Sequence, residues 1–184
     1  MPNLSVRLLV LVGALVLAAS ALVRPTAASA SSSRVAVLTQ IDGARDATWR
    51  WERLMGKPRT PTAYSERTAK SRAYRLWLRE FWQARANRAA RRAATPPHRA
   101  GWLCIQRYER HPAQGWSTRT GNGFYGGLQM DLSFQRAYGR DLLRTKGTAD
   151  RWSPLEQMWV AERAYKSGRG FWPWPHTARN CGLI

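Results

Sequence analysis

The sequence predicts a mainly α protein: a basic helical extension followed by a compact α-rich domain. Three observations carry this. Tyr74, Trp77, Leu78, Phe81 and Trp82 recur at i, i+3, i+4, i+7 and i+8, one stripe of a helix. Ser153-Pro154-Leu155-Glu156 is a capping box with proline at the first helical position. Strand signals are weak throughout, so any β content is expected only in a small turn around the glycines at 121–127.

The elements follow in order. Arg7 precedes an apolar run from Leu8 to Val23, and Ala28-Ser29-Ala30 supplies small residues for cleavage. Residues 1–30 therefore read as a secretory signal peptide, with an uncleaved membrane anchor as the alternative. From Ser31 to about Pro61 the pattern is irregular, with Trp49 and Trp51 among breakers. A helix is expected between Ser65 and Ala94, its remaining surface rich in arginine from Arg72 to Arg92. Thr95-Pro96-Pro97 stops it and marks a boundary between an extension, 31–97, and a folded domain, 98–184. The aromatic stripe suits packing on the domain or a partner helix, and equally a wall or membrane surface.

Within the domain, Trp102 to Glu109 has helical character with no breaker until Pro112. Asp131 is placed to N-cap a short helix carrying Leu132, Phe134 and Ala137, stopped near Gly139. The helix opened by Ser153 runs to about Lys166 and ends at Gly168 and Gly170. The two cysteines, Cys104 and Cys181, read as one disulfide in an exported protein, or as two buried thiols otherwise.

The net charge of +19, from 30 basic and 11 acidic residues, calls for an anionic partner. For an exported protein, anionic wall polymers and lipid head groups suit this better than nucleic acid, which is not expected. His98, His111 and His176 are scattered without metal-ligand spacing, so neither a metal nor a cofactor is expected. Gly121-x-Gly123-x-x-Gly126 matches a dinucleotide fingerprint only literally: no buried strand precedes it and no βαβ unit surrounds it.

Glu109 is the acidic residue that stands between Glu80 and Asp131. A solvated helix glutamate paired with Arg107 or Arg110 is one reading. The other is a general acid, because Glu109 sits near a helix end, beside Tyr108 and shortly before Trp116. An apolar pocket there would raise its pKa and keep it protonated near neutrality. Behind it comes Thr120-Gly121-Asn122-Gly123-Phe124-Tyr125-Gly126-Gly127-Leu128-Gln129, whose aromatic faces and amide tips suit a sugar.

That ten-residue run closely resembles the transglycosylase-like domain of actinobacterial resuscitation-promoting factors. Ser153-Pro154-Leu155-Glu156-Gln157, then Val160-Ala161-Glu162-Arg163, Gly170, Trp172-Pro173 and a final Cys181 follow in the family's order. The resemblance covers about Ala100–Gly182. It implies a compact lysozyme-like fold acting on peptidoglycan, outside the cell or at the wall. It maps the catalytic acid onto Glu109 and sugar contacts onto Thr120, Asn122, Tyr125 and Gln129, with Trp116 as a stacking face. Two departures stand out. The family has its cysteine directly before the glutamate, whereas Cys104 lies five residues earlier. Arg110-His111-Pro112-Ala113-Gln114-Gly115 replaces a shorter turn.

Glycosidases commonly use two carboxylates, and Asp131 would be the second here unless it is only a helix cap. A single acid suffices where the substrate assists, giving an anhydro-forming transglycosylase rather than a hydrolase. The alternative class is a non-catalytic wall-binding or growth-signalling protein that keeps the sugar cleft. A cationic membrane-active protein is a third.

Overall fold

The computed structural model describes residues 27–184. The apolar run Leu8–Val23 lies outside them. Among the described residues no helix is long and apolar enough to cross a membrane.

The N-terminal part is a pair of long helices, α1 (Ala27–Leu54) and α3 (Arg72–Ala94), with a short α2 (Tyr64–Arg67) between them. This corrects the irregular pattern expected over Ser31–Pro61. The buried members of α1 are Ile41, Ala44, Arg45 and Thr48, spaced by three and four, with Met55 just beyond its end. Small and polar members make that stripe faint in the sequence, and it becomes a core face only against α3. Ile41 and Ala44 pack on Leu78 and Trp82, whereas Met55 packs near Ala89 and Ala93. Residue numbers rise together, so the two helices run parallel.

A parallel pair needs a connection that returns along its length, and polar side chains hold it there. Glu52 accepts from the Thr60 amide at 2.8 Å, and Trp49 Nε1 donates to the Thr60 carbonyl at 2.9 Å. Trp82 Nε1 donates to Glu66 at 2.7 Å, and Arg75 donates to the Lys70 carbonyl at 2.5 Å. Ser71 caps α3 through the Tyr74 amide. The predicted aromatic stripe of α3 divides. Leu78 and Trp82 are buried against α1, while Tyr74, Trp77 and Phe81 stack in a row with Trp77 half exposed.

The C-terminal part is the mainly α domain expected. It comprises α4 (Arg99–Glu109), a two-stranded hairpin β1 (Phe124–Tyr125) and β2 (Met130–Asp131), then α5 (Leu132–Tyr138), α6 (Arg140–Lys146), α7 (Pro154–Ala164) and α8 (Pro175–Asn180). The strands are antiparallel, with Phe124 opposite Asp131 and Tyr125 opposite Met130. Asp131 Oδ1 accepts from the Phe134 amide at 2.7 Å, which is the predicted cap of α5. Ser153 and Glu156 form the predicted capping box of α7. Past Ala164 the chain widens into a π turn and stops at Gly168 and Gly170, both with positive φ.

Trp102, Ile105, Leu128, Met130, Val160 and Trp174 form the centre of this domain's core. Glu162 is fully buried there and satisfied by the His98 amide at 2.8 Å and Trp102 Nε1 at 2.9 Å, which ties α7 to the start of α4.

The two parts meet at α7. Because α1 and α3 are parallel, both C-terminal ends arrive side by side, each with unpaired carbonyls and a partial negative charge. Trp159 Nε1 donates to Ala93 O at 2.7 Å. Arg163 donates to Leu54 O at 2.8 Å and Arg53 O at 3.0 Å, and its other amino group to Tyr138 O at 2.6 Å. One guanidinium therefore closes the ends of α1 and α5 together. Burial pushes the Arg163 pKa down, and the Asp141 carboxylate opposes that shift.

Candidate functional site

Glu109 is the last residue of α4, and two features of the fold hold it. The first is the Cys104–Cys181 disulfide, with Cα atoms 6.0 Å apart, which pins α4 to α8. Glu109 lies five residues after Cys104, and Thr177 four residues before Cys181. On antiparallel helices those offsets carry both residues about 6–8 Å beyond the crosslink, in the same direction. They meet there: Thr177 Oγ1 donates to Glu109 Oε1 at 2.9 Å. The second feature is the glycine loop. A Cβ on Gly127 would lie 2.9 Å from Gln106 Cγ and 2.9 Å from the Trp116 ring, so the loop backbone rests on α4 one turn before Glu109. Only glycine permits that approach.

The segment that departs from the family closes into a compact turn. Gln114 N and Gly115 N donate to His111 O at 3.1 and 3.0 Å. Thr118 is buried; its hydroxyl accepts from the His111 amide at 3.0 Å and donates to Gly115 O at 2.6 Å. Gly126 N then donates to Thr118 O and Gly127 N to Trp116 O, so the turn is fastened to the glycine loop.

The predicted sugar contacts fall into three groups. Trp116 is half-buried against the domain core, with its carbonyl held by Gln157 Nε2 at 2.8 Å. Tyr125 is half-buried in β1, where Arg119 bridges to it. Asn122 and Gln129 spend part of their polarity on the loop itself. Asn122 Oδ1 accepts from the Phe124 amide at 3.1 Å, and Gln129 Nε2 donates to Gly126 O at 2.8 Å while Gln129 holds a φ of 48°. Asn122 keeps its amide NH₂ and Gln129 its carbonyl oxygen for another partner. Thr120 is exposed at the mouth of the loop. Among the described residues the hydrogen-bond partner of the Glu109 carboxyl is Thr177, not a member of the loop.

Thr177 is the residue the sequence reading missed. The signal was available: the offsets from the two cysteines imply the contact once they are paired. Trp174, three residues earlier, donates from Nε1 to Leu128 O at 2.6 Å. The segment Trp174–Cys181 thus touches the glycine loop, Glu109 and Cys104 in turn.

The electrostatics separate the two carboxyl groups. Burial raises the Glu109 pKa above the ordinary 4.5, while the Thr177 hydrogen bond and the charge of His176 partly offset it. Asp131 shifts the opposite way, lowered chiefly by the Phe134 amide and the Ser133 hydroxyl. A carboxyl with a raised pKa at Glu109, and one held ionised by its capping bonds at Asp131, suit proton donation by Glu109. The Thr177 hydroxyl also lies 3.3 Å from Trp174 O. Its single hydrogen can point at an ionised Glu109, or turn to Trp174 O when Glu109 is protonated.

Residues 101–177 match the transglycosylase-like domain family. The resuscitation-promoting factor Rpf1 of Corynebacterium glutamicum is 38% identical over 68 residues, which is 37% of this chain and 34% of that protein. The match thus spans about a third of that relative's length. No solved structure matches the chain. Residues 101–177, which hold Glu109, the glycine loop and Thr177, thus form a transglycosylase-like domain similar to that of a resuscitation-promoting factor.

Proposed function

We propose that this protein is exported and cuts the glycan strands of peptidoglycan, with Glu109 as acid and then as base. The observation that carries the reading is a single half-buried carboxyl at the end of α4, its pKa raised by burial and one oxygen held by Thr177. With Oε1 engaged, Oε2 is free to carry the proton to the glycosidic oxygen. The C1–O bond then breaks, leaving oxocarbenium-like charge on the sugar. Asp131 is committed to capping α5, so the substrate itself supplies the nucleophile. The muramic 6-hydroxyl oxygen bonds to C1 and its proton returns to the Glu109 carboxylate, giving a 1,6-anhydro end. Attack by water, in place of the 6-hydroxyl, gives a reducing end. Thr177 suits both halves, since its hydroxyl can serve either protonation state of Glu109.

Digestion of purified peptidoglycan tests this. Soluble muropeptides should appear with the native chain and not with Glu109→Gln, and their masses distinguish anhydro ends from reducing ends, which are one water heavier. The second reading, a wall-binding or growth-signalling protein, draws on the net charge of +19. It predicts salt-sensitive wall binding without release of fragments.

A further inference from the structure

Between the helical pair and the domain lies a cleft of about 770 Å³ that the proposed chemistry does not use. Three elements build it: the C-terminal turns of α1, the length of α6 and the first turn of α7. Trp51, Leu54, Leu142 and Leu155 give it an apolar floor. Arg50, Arg53, Arg144 and Lys146 stand around it, together with the acids Asp141 and Glu156. Its size falls within the range of about 300–1,000 Å³ typical of ligand pockets.

The cations are not equally free. Lys146 is paired with Glu156 at 2.6 Å, and Arg144 lies 4.0 Å from Asp141. Arg163, at the back, is spent on three carbonyls. Arg50 and Arg53 form no ion pair among the described residues, and at i, i+3 they share a face of α1 with Leu54. The cleft therefore offers two unspent guanidinium groups and apolar side chains, with the Asp141 carboxylate also in its lining.

We propose that this cleft binds short acidic peptides of the type that hang from the glycan strands, a site separate from Glu109 that rests on the wall reading above. In such stems alanyl residues flank an adjacent dicarboxylic and diamino residue. Alanyl methyls suit the Leu54–Leu142–Leu155 floor. Carboxylates suit the planar forks of Arg50 and Arg53. An ammonium group suits Asp141, because both oxygens of Glu156 are held by Lys146 and the Ser153 amide. An unsubstituted poly(glycerol phosphate) meets fewer of these features: it has no methyl groups for the floor and no cationic group for Asp141. Held here, a stem would anchor the strand while the glycine loop engages sugar.

The test is calorimetric titration of the whole chain with synthetic Ala-γGlu-Lys-Ala-Ala, and with the same peptide amidated at its carboxylates. The acidic form should bind and the amidated form should be weaker by about tenfold or more, the scale of one charge-assisted hydrogen bond. Arg50→Gln with Arg53→Gln should weaken the acidic peptide by about a hundredfold, and Glu109→Gln should leave it unchanged. If the double variant loses its helical circular dichroism, Arg144→Gln is measured instead, with a smaller loss expected. The inference is overturned by undetectable peptide binding, by equal binding to the substituted chains, or by a poly(glycerol phosphate) competing as well as the peptide. Glycan cleavage is measured separately. Peptide binding without cleavage would sink the enzymatic reading alone, and cleavage without peptide binding would sink this one alone.

Discussion

Replacing both cysteines by serine tests the link between fold and site. The disulfide closes a sequence separation of 77 residues. In the chain-entropy model a loop of that length stabilises the folded state by ~4.5 kcal/mol. Residual order in the unfolded chain reduces the observed figure, so about 3–4 kcal/mol is expected. For a chain of this size that corresponds to a fall in Tm of about 6–16 °C. The crosslink also sets the register of α8 on α4, and so brings Thr177 to Glu109. Turnover should therefore drop further than the unfolded fraction explains. Urea unfolding followed by tryptophan fluorescence gives the first number. Muropeptide release at a temperature where the variant remains folded gives the second. A stability change below about 1 kcal/mol, or full turnover by the folded variant, would refute the reasoning.

Other predictions address single groups. Thr177→Val removes a hydrogen bond that lowers the Glu109 pKa, so the alkaline limb of the pH–rate profile should move up while turnover falls, and Thr177→Ser should restore both. A raised folded pKa means that the protonated carboxyl's contribution to stability is complete below 4.5 and lost as pH rises through the raised value. Glu109→Gln should thus be at least as stable as the native chain at neutral pH, as read by chemical unfolding. Arg163→Met strips the carbonyls of Leu54, Arg53 and Tyr138 of their donor and should cost about 2–4 kcal/mol, with faster proteolysis at the α1 end. Gly126→Ala places a Cβ 2.5 Å from Gln157 Oε1 at a φ of +77°; a loss of about 2 kcal/mol or more, with weaker sugar binding, is expected in thermal unfolding.

Local chemistry was legible where it was self-contained. The cap of α5 at Asp131, the box at Ser153–Glu156 and the stop at Thr95-Pro96-Pro97 each depend on side chains within four residues, and each appears in the fold. The position of Glu109 at a helix end followed from Pro112 and the turn residues nearby. Helix α1 was not legible, because Ala44, Arg45 and Thr48 acquire a buried face only beside Leu78 and Trp82. Nor was the parallel arrangement, which depends on Glu52 and Glu66 holding the return segment. Within the site, Asn122 and Gln129 read as sugar contacts, yet each gives one polar atom to the loop's own backbone. Thr177 needed the cysteine pairing and helix geometry combined, not any motif of its own.

In the proposed mechanism Glu109 alone moves the proton. The measurement that meets it most directly is the initial rate of muropeptide release from purified peptidoglycan by the native chain and by Glu109→Gln, with folding of both checked by circular dichroism. A positioned general acid–base contributes about 10²–10⁴-fold. A loss of that size is expected in a chain that stays folded. A Glu109→Gln chain that releases muropeptides within about tenfold of the native rate would contradict it.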